Sequence, residues 1–388
     1  MLYLTHHLPW PAHSGGRLRE SQLIGRLVDR FDIHVVAVTK VIDHDWHALS
    51  QATLRGVVAC LYPATTVLGL CGPHTRRHGS AQARLYLRCH SAQYDVIHVE
   101  GHYLMPLLPR TVRRRAVLVE HNVESSLFVQ SARLRRRIRD RFVLRTQAAL
   151  THLDECRAWR SARVVVGLTD EDVQVIAANV RHGRVRLVPN GADHLSCVSP
   201  ETGKPPDSTE STTPFLASDL IFVGNFAYCP NADAARELIE CILPRVRELA
   251  GAVSLTLVGV GPPPWLHEAS EANNAIKVTG SVRDVVPWLE AATVVVAPLR
   301  MGGGVKVKLL EALAMGKAVV TTRVGAQGLP PGSVVQADNH TDFATAVVHL
   351  LTSEPARRRQ EARARNAAGR LPSWDLAAES LAACWNLA

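Results

Sequence analysis

Short hydrophobic runs recur along the first half of the chain, and longer segments with helical spacing of apolar residues separate them. The runs cover residues 2–5, 33–38, 57–61, 96–99, 117–120, 164–167 and 185–188. Strands that alternate with helices in this way predict βαβ units, in which a largely parallel sheet is covered by helices on both faces. We therefore expect residues 1–195 to form one doubly wound α/β domain.

The alternation stops between residues 196 and 218, where Ser, Thr, Pro and Gly dominate and a linker is predicted. Strand-like runs then return at 220–223, 255–258, 276–278, 294–297 and 318–322, with helix-like segments at 232–249, 283–290 and 306–315. This pattern predicts a second doubly wound domain over 219–370, followed by a terminal helix within 371–388. Ligands of open parallel sheets bind beyond the carboxyl ends of the strands, so we expect the two domains to face a ligand-binding cleft.

Composition narrows the choice of partner. A chain of 388 residues is longer than one hydrophobic core usually organises, which agrees with two domains. The formal net charge of +9 favours an anionic partner, but aromatic residues make up 5% of the chain and offer few stacking surfaces for single-stranded nucleic acid. We expect a nucleotide, a sugar phosphate or an anionic membrane surface, and no nucleic acid.

The cysteines and the amino-terminal segment bear on the compartment. The eight cysteines form no CxxC pair, which argues against a zinc site and against a disulfide framework. The first residues lack the features of a signal peptide, and no stretch approaches the roughly 20 apolar residues of a membrane span. These features predict a cytoplasmic protein that is at most peripheral to a membrane.

The segment 298–320 carries the most distinctive candidate chemistry. Three glycines, Gly302 to Gly304, follow a strand-like run, and a helix-like segment with Lys306, Lys308 and Glu311 comes directly after them. Glycine permits close approach of the backbone to a ligand, and the N–H groups at a helix start attract phosphate. The pattern is typical of a phosphate-binding loop with lysines that neutralise a diphosphate. The alternative is a flexible turn between the strand and the helix, with the two lysines on a solvent-exposed face of the helix.

Several further motifs follow one another in order along nearly the whole chain. They are HLPWPAHSGGRLR at 7–19, VLVEHNVESS at 117–126, VRLVPNGAD at 185–193, FVGNFAYCPN at 222–231, SLTLVGVG at 254–261 and the stretch that begins VTGSVRD at 278–320. This order resembles the retaining GT-B glycosyltransferases of glycosyltransferase family 4. The resemblance implies an α/β, GT-B fold of two Rossmann-like domains that face a cleft, with the acceptor mainly in the first domain and the nucleotide-sugar donor mainly in the second. It also implies that the terminal helix packs back toward the first domain.

The resemblance assigns roles to matching positions of this sequence. Glu311 matches the glutamate that holds the nucleotide ribose, His121 matches a histidine that contacts the donor sugar near the reacting carbon, and the backbone at Val282 matches the position that reads the base. The glycine loops meet the sugar and the diphosphate through their backbone. The expected donor-binding residues are Gly15, Gly16, Asn190, Gly224, Asn225, Val282, Gly302, Gly303, Gly304, Val305, Lys306 and Glu311, and the expected catalytic residues are His121 and Lys308.

The chain departs from the family pattern at two places. Gly303 stands where the family commonly has the first of two glutamates, so one carboxylate contact to the donor sugar is missing. Asn225 and Asn231 stand where many members have an Arg and a Lys that grip the diphosphate. We hypothesise that Lys308 or Lys306 supplies the missing positive charge.

Other polar residues are weaker candidates. A lone histidine at a strand end is more often a packing residue than a catalyst, which applies to His6 and His7 and, outside its motif, to His121. Two DxD patterns, at 43–45 and 170–172, could hold a divalent cation. Acidic residues are also favoured in the first turn of a helix, and both patterns fall where helices are expected to begin. No metal site is therefore predicted.

The segment 132–145 is the densest basic region, and RRR at 113–115 adds to it. Leu134, Ile138 and Phe142 recur every four residues, which predicts one amphipathic helix with arginines on its other faces. Such a helix could contact a membrane surface or an anionic acceptor. Alternatively, it packs its apolar stripe into its own domain and exposes the arginines to water.

The resemblance implies a retaining glycosyltransferase that moves a hexose or an amino sugar from a nucleotide sugar, UDP-linked on family frequency, to an acceptor. The loop amides, the helix start and the lysines can stabilise the departing diphosphate without a metal, so we expect no metal and no cofactor. The resemblance also implies that the leaving phosphate assists deprotonation of the acceptor. The acceptor is either a lipid-linked glycan, which suits the basic helix, or a small metabolite. Two alternatives stay open: a nucleotide-sugar epimerase, and a non-catalytic module that binds nucleotide sugars or polyanions.

Overall fold

A computed structural model describes residues 1–12, 14–51, 56–180, 183–193 and 218–387. The chain divides into two compact units. The N-terminal unit comprises Met1–Gly191 and Ser373–Ala388, and the C-terminal unit comprises Ala192–Pro372. The predicted linker at 196–218 lies outside the described residues, apart from Ser218, which begins a strand. Among the described helices, none combines the length and the apolar character needed to cross a membrane.

A parallel sheet, seven-stranded over the described residues, forms the centre of the N-terminal unit. Its strands are β1 (Leu2–Thr5), β2 (Ile33–Thr39), β3 (Val57–Pro63), β4 (Ile97–Glu100), β5 (Ala116–Val119), β6 (Val164–Gly167) and β7 (Val185–Leu187). Their order is β3-β2-β1-β4-β5-β6-β7. The order reverses at β1, which pairs with β2 on one side and with β4 on the other. In sheets of this kind, ligands bind beyond the carboxyl ends of the strands at the reversal.

Helices connect these strands. They are α1 (Gly15–Leu27), α2 (Ile42–Gln51), α3 (Pro73–Arg77), α4 (Ala81–His90), α5 (Arg110–Arg113), α6 (Glu124–Leu134), α7 (Ile138–Ser161) and α8 (Asp170–Ala177). All four residues of β1, β4, β5 and β6 are buried. This burial explains why these strands appear in the sequence as continuous apolar runs and not as an alternating pattern.

The C-terminal unit repeats the plan with a second parallel sheet. Its strands are β8 (Ser218–Val223), β9 (Leu255–Val258), β10 (Ile276–Val278), β11 (Ala292–Ala297), β12 (Val319–Thr321) and β13 (Val335–Gln336), in the order β10-β9-β8-β11-β12-β13. Its helices are α9 (Cys229–Glu237), α10 (Leu243–Ala250), α11 (Pro264–Ala272), α12 (Val286–Ala291), α13 (Val307–Ala314), α14 (His340–Thr352) and α15 (Glu354–Ala368). A π-helical turn, Leu238–Ile242, joins α9 to α10.

The last helix, α16 (Trp374–Trp385), belongs to the N-terminal unit. Its residues Trp374, Leu381 and Trp385 are at most 2% exposed and share a hydrophobic cluster with Tyr3 and Val117 of the sheet. The sheet therefore has one face covered by a helix that is distant in sequence.

The predicted α/β fold class is confirmed, because each unit is a parallel sheet surrounded by helices. The predicted strands are all present, with ends that differ by at most two residues. Strand β13 was not predicted, since its two residues form no hydrophobic run. The helix predicted at 283–290 begins later, at Val286.

The single helix predicted over 132–145 is wrong. Helix α6 ends at Leu134, Arg135 is extended, and α7 begins at Ile138, so two helices that pack on each other meet within this segment. Ile138 is 82% exposed and Phe142 is 71% exposed. The apolar stripe therefore does not enter the core of its own unit, because the break divides it between two helices.

Candidate functional site

The glycine run of the C-terminal unit lies between β11 and α13, at the carboxyl end of the sheet. Gly302 has a φ of +151° and Gly304 a φ of +62°, conformations that side chains other than hydrogen rarely permit. Lys306 is the N-cap residue of α13 and is 9% exposed. Its ammonium donates to the Gly304 carbonyl at 2.7 Å and to Gln327 Oε1 at 3.3 Å. Lys306 therefore holds the loop in shape from within.

Lys308 points from α13 to the segment that follows β8. Its Nζ donates to Asn231 Oδ1 at 2.5 Å, and Asn231 Nδ2 donates to the Asn225 carbonyl at 2.8 Å. A Cβ atom at Gly224 would lie 3.1 Å from the same Nζ, so glycine leaves room for the ammonium there. The ammonium also lies 4.5 Å from the ring centroid of Phe222. The structure thus joins Lys308 to Asn231 directly and to Asn225 through Asn231.

The surroundings of Lys308 destabilise its charge. Burial, with a contribution from the charge of Lys306, lowers the pKa of Lys308 to about 7, although Glu311 opposes the shift. An ammonium next to an amide oxygen and an aromatic ring has little compensation for lost hydration, and a nearby anion would restore it. This lysine is suited to an anionic ligand.

The other predicted residues of this unit lie around the loop at varied depth. Glu311 is the fifth residue of α13 and is partly buried. Val305, beside the N-cap of the same helix, is partly buried as well. Val282 follows β10 and packs against the core of the unit, so its backbone is held in place by its own side chain. Gly303, between the two left-handed glycines, has a negative φ.

In the N-terminal unit the predicted glycines meet the predicted histidine. Helix α1 begins at Gly15 after the N-cap Ser14. A Cβ atom at Gly16 would lie 3.6 Å from His7 Cε1 and 3.9 Å from His121 Cε1. Gly16 and His7 follow β1, the strand at which the order reverses, and His121 follows β5, which lies two strands away. The structure therefore brings Gly15, Gly16, His7 and His121 together at the edge where ligands of such sheets bind.

Asn190 has a different environment in this unit. It is 5% exposed, and its Oδ1 accepts from Arg19 Nη1 at 2.7 Å. The same guanidinium donates to the carbonyls of Pro189 at 3.0 Å and Val188 at 3.0 Å. The side chain of Asn190 thus anchors the fully buried Arg19 of α1 to the segment after β7.

Buried polar groups that sequence reasoning missed lie behind His121. Glu100, at the end of β4, is fully buried, and its Oε2 lies 2.7 Å from His121 Nε2. Its Oε1 accepts from the Tyr3 hydroxyl at 2.6 Å and pairs with His98 Nε2 at 2.8 Å. His121 and His98 hold the pKa of Glu100 well below its usual range in spite of burial. Burial lowers the pKa of His121, but the Glu100 carboxylate outweighs burial and raises it above the ordinary value.

A second polar cluster surrounds the start of α6. His102 pairs with Glu120 at 3.3 Å; burial lowers the pKa of His102, but Glu120 outweighs burial and raises it to about 9. Burial raises the pKa of Glu124 to about 7 and that of Glu155 to about 7. His74 lies 3.5 Å from Glu124, and burial lowers its pKa to about 3. Buried titratable groups in such number often mark a functional cleft. The motif at 117–126 contains Glu120 and Glu124, but nothing in the sequence indicated that these two carboxylates belong to a site.

Metal-ligand types also come close together in the described residues. The ligand atoms of His6–His7–Glu20, of Glu20–Glu100–His121 and of Glu237–Cys241–His340 lie within 4.8 Å of one another in each group. Direct imidazole–carboxylate pairs, such as His7 with Glu20 at 2.8 Å and His340 with Glu237, account for this proximity, and we assign these groups no ion. The DxD patterns do begin helices α2 and α8, as expected.

Comparison with known proteins places these two units in a known architecture. Residues 217–353 match the family model for glycosyl transferases group 1. Sucrose-phosphate synthase from Thermosynechococcus elongatus is similar to the chain, with a TM-score of 0.65 and 15% identity over 99% of this chain and 98% of that one. WaaG, a glycosyltransferase involved in lipopolysaccharide biosynthesis, gives a TM-score of 0.65 and 14% identity over 98% of both chains.

Anabaena Alr3699/HepE, solved in complex with UDP-glucose, gives a TM-score of 0.66 and 12% identity over 98% of both chains. No curated protein sequence matches the chain. The two sheets and their helices therefore have the GT-B fold of glycosyltransferases. The matched segment is the part of the C-terminal unit that carries the glycine run, Lys308 and Glu311.

Proposed function

We propose that the protein is a glycosyltransferase that binds a nucleotide sugar in its C-terminal unit and transfers the sugar to an acceptor. The observation that carries this proposal is the position of Lys308. Its ammonium donates to Asn231 and lies beside Gly224. Lys308 itself belongs to the first turn of α13, which directly follows the glycine loop. Gly224, Asn231 and Lys308 all lie within the segment that matches the family model. Lys308 provides positive charge where the resemblance leads us to expect an Arg and a Lys.

The chemistry requires stabilisation of a departing nucleoside diphosphate. The N–H groups of the loop at Gly302–Gly304, the start of α13 and the Lys308 ammonium can together neutralise that charge, so the reaction needs no metal ion. Glu311 holds the ribose, and the backbone at Val282 contacts the base. UDP is the proposed nucleotide, because a structural neighbour was solved with UDP-glucose.

The N-terminal unit contributes Gly15, Gly16 and His121. The resemblance implies that Gly15 and Gly16 meet the diphosphate and that His121 contacts the donor sugar near the reacting carbon. The resemblance to retaining enzymes favours retention of configuration. Because no carboxylate nucleophile is assigned, we propose that the leaving phosphate takes the proton of the acceptor. The sugar–phosphate bond breaks, the sugar–acceptor oxygen bond forms, and the proton passes to the phosphate.

A donor screen tests this proposal. We expect UDP-sugars to raise the melting temperature more than GDP-sugars, and prolonged incubation to release nucleoside diphosphate slowly by hydrolysis. Product NMR with a competent acceptor should show the anomeric configuration of the donor. Formation of an isomeric nucleotide sugar would indicate an epimerase, and binding without any turnover would indicate a binding module. Absence of nucleotide-sugar binding would refute the proposal.

We further propose that the acceptor is lipid-linked and that the junction of α6 and α7 contacts an anionic membrane. Ile138 and Phe142 lie one turn apart on α7 and are 82% and 71% exposed. Six exposed arginines surround them, at 135, 136, 137, 139, 141 and 145. Exposed aromatic and aliphatic side chains amid cationic ones suit a surface of anionic lipid headgroups over acyl chains. The seven unpaired cysteines of the described residues favour a reducing compartment, so we place this contact at a cytoplasmic membrane face.

Vesicle sedimentation tests the membrane contact. We expect binding to vesicles that contain phosphatidylglycerol and much weaker binding to pure phosphatidylcholine. The double variant Ile138→Ser/Phe142→Ser should lose most of this binding, whereas Leu376→Ser should not. Leu376 is a suitable control because it is 55% exposed in the same unit but lies next to the acidic Asp375. Equal binding by the double variant and the control would contradict the proposal.

A further inference from the structure

The buried residues behind His121 form a continuous chain that reaches the terminal helix. Trp385 Nε1 donates to His98 Nδ1 at 3.1 Å, His98 Nε2 pairs with Glu100 Oε1 at 2.8 Å, and Glu100 Oε2 lies 2.7 Å from His121 Nε2. Trp385, His98 and Glu100 are at most 2% exposed, whereas the side chain of His121 is 20% exposed. Three buried residues thus support one that reaches the site.

The indole of Trp385 fixes the tautomer of His98. An indole N–H can donate but cannot accept, so His98 Nδ1 must be the acceptor and carries no proton. The single proton of the neutral ring is then on Nε2 and is donated to Glu100 Oε1. Stacking of the His98 ring on Tyr3, with centroids 4.1 Å apart, holds the ring plane.

Glu100 has its two oxygens committed differently. Oε1 receives the Tyr3 hydroxyl at 2.6 Å together with His98. Two donors on one oxygen fix the carboxylate in its rotamer and stabilise its negative charge. Oε2 is thereby presented to the imidazole of His121.

We propose that Glu100 is the positioning residue of His121, and that Trp385 of the terminal helix completes this support by holding His98. The inference rests on the proposed function for the role of His121 in transfer, but the positioning itself is a property of the N-terminal unit. Trp385 also secures α16, so the terminal helix has a part in the site as well as in the core.

Other charged groups face His121 and enter any titration of its ring. They are Glu20 and Arg19 of α1, His6 after β1, and Glu124 at the start of α6. The Glu100 carboxylate is the strongest attraction among them, so its removal should lower the titration midpoint of His121 whichever protonation state the reaction uses.

The test is an NMR titration of histidine rings in the full chain, with the His121 signal assigned from His121→Gln. We expect Glu100→Gln to lower the His121 midpoint by at least one pH unit, which corresponds to a change of about tenfold in proton affinity. Trp385→Phe keeps an aromatic ring but removes the donor to His98, and should lower the midpoint by a smaller amount. Trp374→Phe, a change of an equally buried tryptophan on the same helix, should leave it in place.

Activity provides the second readout. With an active donor, Glu100→Gln should reduce kcat more than it changes KM, and should move the pH profile of kcat to lower pH together with the NMR midpoint. If Glu100→Gln does not fold, Tyr3→Phe and Trp385→Phe apply the same test. A midpoint and a pH profile that both stay unchanged in folded variants would overturn the positioning role. A shifted midpoint in a protein that transfers no sugar would support it and refute the proposed function instead.

Discussion

Because the pKa of Lys308 is lowered, we expect nucleotide binding to be coupled to the uptake of a proton that can be measured. With a pKa of about 7, about nine in ten copies of this lysine are neutral at pH 8 before ligand binds. A diphosphate anion favours the charged form, so binding at pH 8 should take up nearly one proton. Affinity should therefore fall about tenfold per pH unit above pH 7, until the pH reaches the pKa of Lys308 in the complex.

The cost of losing the ammonium follows from its partners. In the ligand-free protein Lys308 has an amide oxygen and an aromatic ring as neighbours, and with ligand it gains a charge-assisted hydrogen bond worth about 1.5–3 kcal/mol. Lys308→Met should therefore weaken nucleotide-sugar binding at pH 7 by roughly 10- to 150-fold. Lys317→Met is the matched control, because Lys317 is also partly buried with a lowered pKa. Lys317 precedes β12 and donates to the carbonyl of Glu290 in α12, so it lies at the amino ends of the strands and not at the carboxyl ends.

Calorimetry in two buffers of different protonation enthalpy measures the proton directly. The ligand is the nucleotide sugar that gives the largest thermal shift, whose diphosphate is a diester and does not titrate near pH 8. Wild type and Lys317→Met should take up about 0.9 proton at pH 8, and Lys308→Met none. Binding by wild type without proton uptake, or equal uptake by Lys308→Met, would refute the reasoning.

Three further predictions concern the backbone, pH and packing. Gly302→Ala should abolish nucleotide binding and cost about 1–3 kcal/mol of stability, because a φ of +151° strains alanine. Gly303→Ala should be tolerated, because Gly303 has a negative φ. Denaturant unfolding of both variants with and without ligand measures the two effects. The folded pKa of Glu155, about 7, exceeds its ordinary value of 4.5, so the contribution of Glu155 to stability is lost as the pH rises from about 4.5 through 7. Glu155→Gln should remove up to about 3 kcal/mol of this pH dependence of the unfolding free energy. Identical stability–pH profiles for wild type and variant would contradict this prediction. Gly191→Ala should loosen α16, since its Cβ would lie 2.4 Å from the Trp374 backbone nitrogen; faster amide exchange in α16 is the expected result, and unchanged exchange the contrary one.

The strands could be predicted because each is buried on both faces and therefore appears as an apolar run. The break between α6 and α7 could not, because Ile138 and Phe142 keep a helical repeat within α7 while the chain turns just before it. The spacing of apolar residues indicates that a segment is helical, but it does not show whether two successive helical segments form one straight helix or two helices with a turn between them.

The candidate site was predictable to the level of segments. Order of motifs indicated the glycine loops and His121, but the choice between Lys306 and Lys308 depended on side-chain direction. Lys306 turns back to the Gly304 carbonyl, and Lys308 reaches Asn231.

His98 and Glu100 could have been found from sequence. They occupy alternate positions of an otherwise apolar strand, so they share one face and, once buried, must bond to each other or to a neighbour. The contact of His98 with Trp385 could not have been found, because 287 positions separate the two residues.

Helix α16 also sets an order of events during synthesis. The N-terminal unit consists of Met1–Gly191 and Ser373–Ala388. About 180 residues of the C-terminal unit are therefore translated before α16, the helix that covers one face of the N-terminal sheet. At 5–20 residues per second, the apolar face that receives Trp374 and Trp385 waits roughly 10 to 35 seconds for its cover. During that interval the nascent first unit exposes a surface suited to chaperone binding, while the second unit can fold from a continuous stretch of chain.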